Sequence, residues 1–118
     1  MNLEEIHAYC LNKPGVTEEF PFDKDTLVFK VMGKMFALIP LEATQLQMNL
    51  KCDPDEAQEL RARYTGVLPG YHMSKVHWNT VVMDGSFTAQ ELLQWIDNSY
   101  NLIVASLPKK IREQLPEK

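Results

Sequence analysis

The sequence predicts an α+β fold, a two-layer α/β sandwich in which an antiparallel sheet of about five strands is covered on one face by helices, in the order α-βββ-α-ββ-α. Segments whose apolar residues recur every three or four positions, each preceded by a capping residue, alternate with short runs rich in β-branched and aromatic residues. Two of those runs are joined by a two-residue turn, which makes a hairpin. Another run alternates apolar and polar residues, the mark of a strand with one wet face.

The elements follow in order. Asn2 caps a helix to about Leu11, with Leu3, Ile6 and Cys10 on its buried face and Glu4 and Glu5 near the positive end of its dipole. Pro14-Gly15 ends it, and VTEEFPFDKD reads as a loop. TLVFKVM and MFALIPL then form a hairpin about a Gly33-Lys34 turn, and LQMNLK (46–51) is the alternating strand. Asp53-Pro54-Asp55-Glu56 starts a helix whose stripe is Ala57, Leu60 and Tyr64, and Gly66 stops it. After the Pro69-Gly70 break, a short strand at 71–73 and a longer one in VHWNTVVM lead to the Asp84-Gly85 turn. Thr88 caps the last long helix, with Leu92, Ile96, Tyr100, Ile103 and Leu107 on one face, and Pro108 ends or kinks it.

At 118 residues the chain has the size of one domain, taken as 1–118. Its 45% apolar and 24% charged residues are those of an ordered globule rather than a disordered chain. No apolar run is long enough to span a bilayer and no leader-like segment follows Met1, so a cytoplasmic location is expected. Cys10 and Cys52 stand too far apart for a CxxC pair, and both are expected to be reduced and buried. The net charge of −4 disfavours a polyanion partner, but the charge is uneven. Acids dominate the first 23 residues, lysines dominate 24–39, and the C-terminal PKKIREQ is basic.

The stretch PGYHMSKVHWNTVVMDG (69–85) concentrates candidate groups. His72 and His77 have a spacing that sends them to opposite faces of a continuous strand, and no Cys, Asp or Glu between residues 65 and 83 completes a metal shell. Ser74, His77 and Asp84 form no recognisable nucleophile arrangement, and there is no Gly-rich phosphate cradle. We expect no enzyme, metal or cofactor on these grounds. If Trp78 and Thr80 face the helices, His77 and Asn79 line the wet face; the opposite phase is equally open, since Val81 and Met83 are apolar too. Trp78 reads first as core. Lys75, beside Tyr71 and His72, belongs to a basic and aromatic mixture that suits phosphates and bases. Lys30 and Lys34, with Lys24 just before, sit on the first hairpin, either as a second wing or as guards against edge pairing.

The segments EEFPFDKDTLVFKVMGKMFAL (18–38), LKCDPDEAQELRARY (50–64), LPGYHMSKVHWNTVVMDGS (68–86) and SYNLIVASL (99–107) resemble the MmcQ/YjbR family of small bacterial proteins. The resemblance implies a CyaY-like or secretion-chaperone-like fold and a DNA-binding double wing. Carried onto this chain, the wings are Lys30, Gly33 and Lys34, then His72, Lys75, His77, Trp78 and Asn79. Ser74 stands where the family favours asparagine and Asp23 where it favours glycine, and the first change removes a base-reading amide. Weak, non-enzymatic DNA binding through these residues is therefore expected, without a membrane role. The competing expectation is a protein- or small-ligand-binding module using the wet face around Tyr71, His77 and Asn79. Iron handling by Glu4, Glu5, Glu18 and Glu19, by analogy with the frataxin fold, is a third.

Overall fold

The computed structural model describes residues 1–116. The chain runs α1 (Leu3–Leu11), β1 (Val16–Glu19), β2 (Thr26–Val31), β3 (Lys34–Pro40), β4 (Gln47–Lys51), α2 (Pro54–Arg63), β5 (Val67–Pro69), β6 (Trp78–Val82), α3 (Ala89–Ser106) and α4 (Lys109–Glu113). The α+β class holds, with six strands in the order β1-β2-β3-β4-β6-β5, every neighbour antiparallel.

The predicted caps form. Asn2 with Glu5 and Thr88 with Glu91 make reciprocal capping boxes, and the Asp53 carboxylate accepts from the backbone N–H groups of Asp55 and Glu56. α1 and α3 cover one face of the sheet. Ile6 and Cys10 from α1, and Leu92, Ile96, Tyr100 and Ile103 from α3, join Phe29, Val31, Ile39, Met48, Leu50 and Val81 in one core, with Leu60 of α2 packed against it. Cys10 and Cys52 are both unbridged and buried.

Three local expectations are corrected. VTEE is not loop but β1, an edge strand in which Val16 pairs with Val31 and Glu19 with Val28. Its polar, exposed residues lack a strand-like composition; pairing with β2 creates the strand, and charge on it suits an edge. The hairpin turn is Met32-Gly33, one residue earlier than expected, with φ of 50° and 88° and Val31 paired to Lys34. Both positions are left-handed, as the hairpin twist demands. The short strand before β6 is Val67–Pro69, not 71–73. Gly70 follows it so closely against β6 that a Cβ there would lie 2.9 Å from both Trp78 Cβ and Trp78 O, and beyond it the chain turns away through His72 at φ 60°.

The sheet also selects the phase left open for β6. Asn79 and Val81 are on the helix side, while Trp78 and Thr80 are on the open face. Trp78 packs there with Val28, Leu38, Met35 and Met73, a second small core outside the helix layer.

Candidate functional site

Two loops fold onto the open face: 20–25 from the β1 edge and 70–77 from the opposite side. Arg61 of α2 holds the second. Its Nε donates to Asn79 Oδ1 (2.7 Å), and its Nη2 donates to the carbonyls of Trp78 (3.3 Å) and Lys75. Asn79, only 2% exposed, also donates to the Ala57 carbonyl. Asn79 is thus a framework residue that ties sheet to helix, and its expected place on a contact surface is corrected: both ends of its amide are already bonded and face α2.

The register puts the β2–β3 turn and the β5–β6 loop at the same end of the sheet. Val31 pairs with Lys34 at one tip, and Lys51 pairs with Trp78 at the foot of the other. Between them β3 and β4 part. Their ladder extends no further toward this end than the Ala37–Leu50 pair. Beyond it Ser99 of α3, fully buried, donates from Oγ to the Phe36 carbonyl (2.5 Å) and accepts from Lys51 N–H (2.8 Å). One hydroxyl so satisfies two backbone groups that would otherwise be orphaned by the gap. Phe36 is also the extra residue of a bulge opposite Phe29 and Lys30, which adds local bend.

The result is a hollow of about 380 Å³ at the tip end, lined by Lys30, Gly33, Lys34, Met35, Lys51, Trp78, Pro21 and Phe22, with Ile103 of α3 reaching in. Lys30 lies 3.3 Å from the Glu19 carboxylate. Lys34 donates to Ser106 Oγ (3.1 Å) near the C-terminal end of α3, where the helix dipole favours a cation. Among the described residues no carboxylate pairs with Lys34 or Lys51. α4 with its Lys109, Lys110 and Arg112 lies near this end too, since Leu115 just beyond it sits against Gly15, whose carbonyl accepts from Met32 N–H.

Of the expected wing residues, Lys30, Gly33, Lys34 and Trp78 line this hollow. Lys75 is exposed, but its Nζ turns back to the Gly70 carbonyl (3.0 Å). His77 is exposed and offers its carbonyl to Cys52 N–H. His72 packs against Tyr71 with the rings tilted by 51° and their centroids 4.1 Å apart, and it lines a different cavity.

That second cavity, about 540 Å³, lies on the open face between the two loops. Leu38, Pro40 and Asn49 belong to its floor, Asp23, Asp25 and Glu42 to one wall, and Tyr71, His72 and Met73 to the other. Asp23 caps its own loop: Oδ1 accepts from the N–H groups of Asp25 (2.8 Å) and Thr26 (2.7 Å). These bonds hold its carboxyl below the usual aspartate range, so the loop is fully capped above that range and loosens as pH falls through the depressed value.

Sequence reasoning missed Lys51, Phe22, Ser99, Arg61 and the face hollow. Lys51 was visible as the polar phase of an alternating strand, and Phe22 as an aromatic in an otherwise polar loop. Ser99 and Arg61 carry no local signal, because their partners are remote in sequence. Among the described residues no three His, Cys, Asp or Glu side chains cluster as metal ligands, and no helix is long and apolar enough to cross a membrane.

The YjbR family model matches residues 11–102. The chain is 32% identical to the uncharacterized protein YjbR of Escherichia coli K12 over 115 residues, 98% of each chain. It is 33% identical to the uncharacterized protein YbdF of Escherichia coli O157:H7, over 95% of this chain and 92% of that one. A Deinococcus radiodurans crystal structure with a DUF419 domain superposes with a TM-score of 0.88 at 36% identity, covering 96% of this chain and 86% of that one. A Pseudomonas syringae crystal structure gives 0.75 at 30% identity, covering 86% and 98%. With a tip hollow and a face hollow built on that shared sheet, the chain belongs to the YjbR family.

Proposed function

We propose that the chain is a non-enzymatic, weakly selective DNA-binding module whose contact surface is the tip end of the sheet. One observation carries the reading: the ends of both hairpins stand on the same side, and the gap between β3 and β4 gathers Lys30, Lys34 and Lys51 around one hollow with Trp78 and Phe22. Lys34 and Lys51 supply ammonium groups for phosphates, and Lys75, once released from the Gly70 carbonyl, adds a third. Lys30 contributes less because Glu19 offsets it. Phe22, 64% exposed, offers a ring face to a sugar or base. Asn79 takes no part. His72 and His77 lie outside the hollow and serve at most as flanking contacts.

With so few cations on an acidic chain, affinity belongs to the non-specific range, a dissociation constant on the order of 10⁻⁴ to 10⁻⁶ M at physiological salt. Fluorescence anisotropy with labelled duplex DNA across a salt series tests this. We expect log K to fall with log salt by about 0.9 per phosphate contacted, and Lys34→Glu with Lys51→Glu to flatten that slope by about two contacts. Absence of binding at low salt, or affinity indifferent to salt and to both substitutions, overturns the proposal.

A further inference from the structure

We propose that the larger hollow on the open face is a separate binding site for a small organic ammonium ion that carries an apolar, preferably aromatic, body and an oxygen acceptor. Its volume of about 540 Å³ lies within the range of small-molecule sites. It is also built rather than incidental, since its walls are two loops fixed by independent devices: the Asp23 cap on one side and the Arg61 clamp on the other.

Three features choose the ligand chemistry. The first is charge. Asp23, Asp25 and Glu42 all line the hollow, and among the described residues no lysine or arginine pairs with any of them. A phosphate or carboxylate ligand would be repelled, and an ammonium group attracted. The second is the aromatic rim. Phe22 and Tyr71, each 64% exposed, stand on opposite walls, and large apolar rings left in water at the mouth of a cavity suit a ring or cation laid between them.

The third feature is a polar donor on the floor. Asn49 Oδ1 accepts from Thr80 Oγ1 (2.5 Å), and its amide nitrogen, with no protein acceptor among the described residues, is not sealed off from solvent. It lines the cavity floor beside Leu38. Open to the cavity, this donor is one that a ligand's hydroxyl or carbonyl oxygen can take in place of water. An apolar body then covers Leu38, Pro40 and Met73 while the ammonium meets the carboxylate wall.

Three nearly isosteric probes test the inference on the full chain at pH 8: tyramine (cation), tyrosol (neutral) and 4-hydroxyphenylacetate (anion), titrated by calorimetry and by amide NMR shifts. We expect saturable tyramine binding with shifts at Thr26, Leu38, Asn49 and Met73, tyrosol weaker by about tenfold, and no binding of the anion. Asp23→Asn with Glu42→Gln, which keeps the Asp23 cap acceptor, should weaken tyramine by about tenfold while amide spectra away from the hollow stay unchanged. Equal affinity for the three charge states, shifts confined elsewhere, or no saturation by tyramine overturns the proposal. None of these results bears on DNA binding, which the salt series tests separately.

Discussion

The tip hollow and the face hollow share Phe22 as a wall, yet one is lined by Lys30, Lys34 and Lys51 and the other by Asp23, Asp25 and Glu42. The face hollow lies on the open face, whereas the tip hollow reaches round the end of the sheet to Lys34 and Ile103 on the helix side, and a formal charge of −4 describes neither. The segregation follows from how each residue reaches the surface. The lysines are strand residues held in place by register: Lys30 and Lys34 on the hairpin, Lys51 opposite Trp78. The acids come from loops at the far ends of β2 and β3, where the chain turns back at 23–25 and 42. A sheet that runs from a strand-borne basic end to a loop-borne acidic face is in effect dipolar, with the sign of its surface charge set by position along the strands.

The largest way to break the comparison is Trp78→Ala. Trp78 walls the tip hollow and anchors the second core with Val28, Leu38, Met35 and Met73, while being only 9% exposed. Truncation should cost about 3–5 kcal/mol by urea denaturation. Because Met73 also lines the face hollow, this variant should disturb both sites and separate neither. A loss below about 1 kcal/mol would mean that the open face has no core of its own.

Arg61→Ala comes next. It leaves Asn79 Oδ1 without its guanidinium and frees the Lys75 carbonyl, while the Trp78 carbonyl keeps only the Gly70 N–H, with an expected cost of about 1–3 kcal/mol. The local consequence is sharper than the global one: amide hydrogen exchange across 70–77 should accelerate while β2 and β3 stay protected. Uniform acceleration would show that the loop and the sheet open together, and that Arg61 is not a separate clamp.

How much of this was legible in the sequence depends on the range of the interaction. Asn2, Asp53 and Thr88 announce their helices because a cap is satisfied within three residues. The core stripe of α3 is equally local, and the resemblance carried in part by the 68–86 stretch led to the family whose model matches residues 11–102. VTEE could not be read as strand, since nothing in it favours one until Val31 and Val28 lie opposite. Asn79 misled for a related reason. In a strand of Trp-Asn-Thr-Val-Val either phase buries apolar groups, and the choice is made by Arg61, which lies in another element. The two hollows depend on loop closure and on Ser99 filling the β3–β4 gap, contacts that no periodicity encodes.

Phe22→Ala should have the smallest effect on stability and the most informative effect on binding. At 64% exposure the side chain contributes little to folding, and the change should stay within about 0.5 kcal/mol. As the wall common to both hollows, it should nevertheless weaken duplex DNA and tyramine alike, by the loss of one stacking or cation–π contact of about 1 kcal/mol, or roughly fivefold. Paired losses would mark Phe22 as a shared wall between opposite charges. If only tyramine weakened, the ring would belong to the face hollow, and the proposed DNA surface would retreat to Lys34, Lys51 and α4. If only DNA weakened, the ammonium would be held by the carboxylates and Tyr71 without help from the first loop.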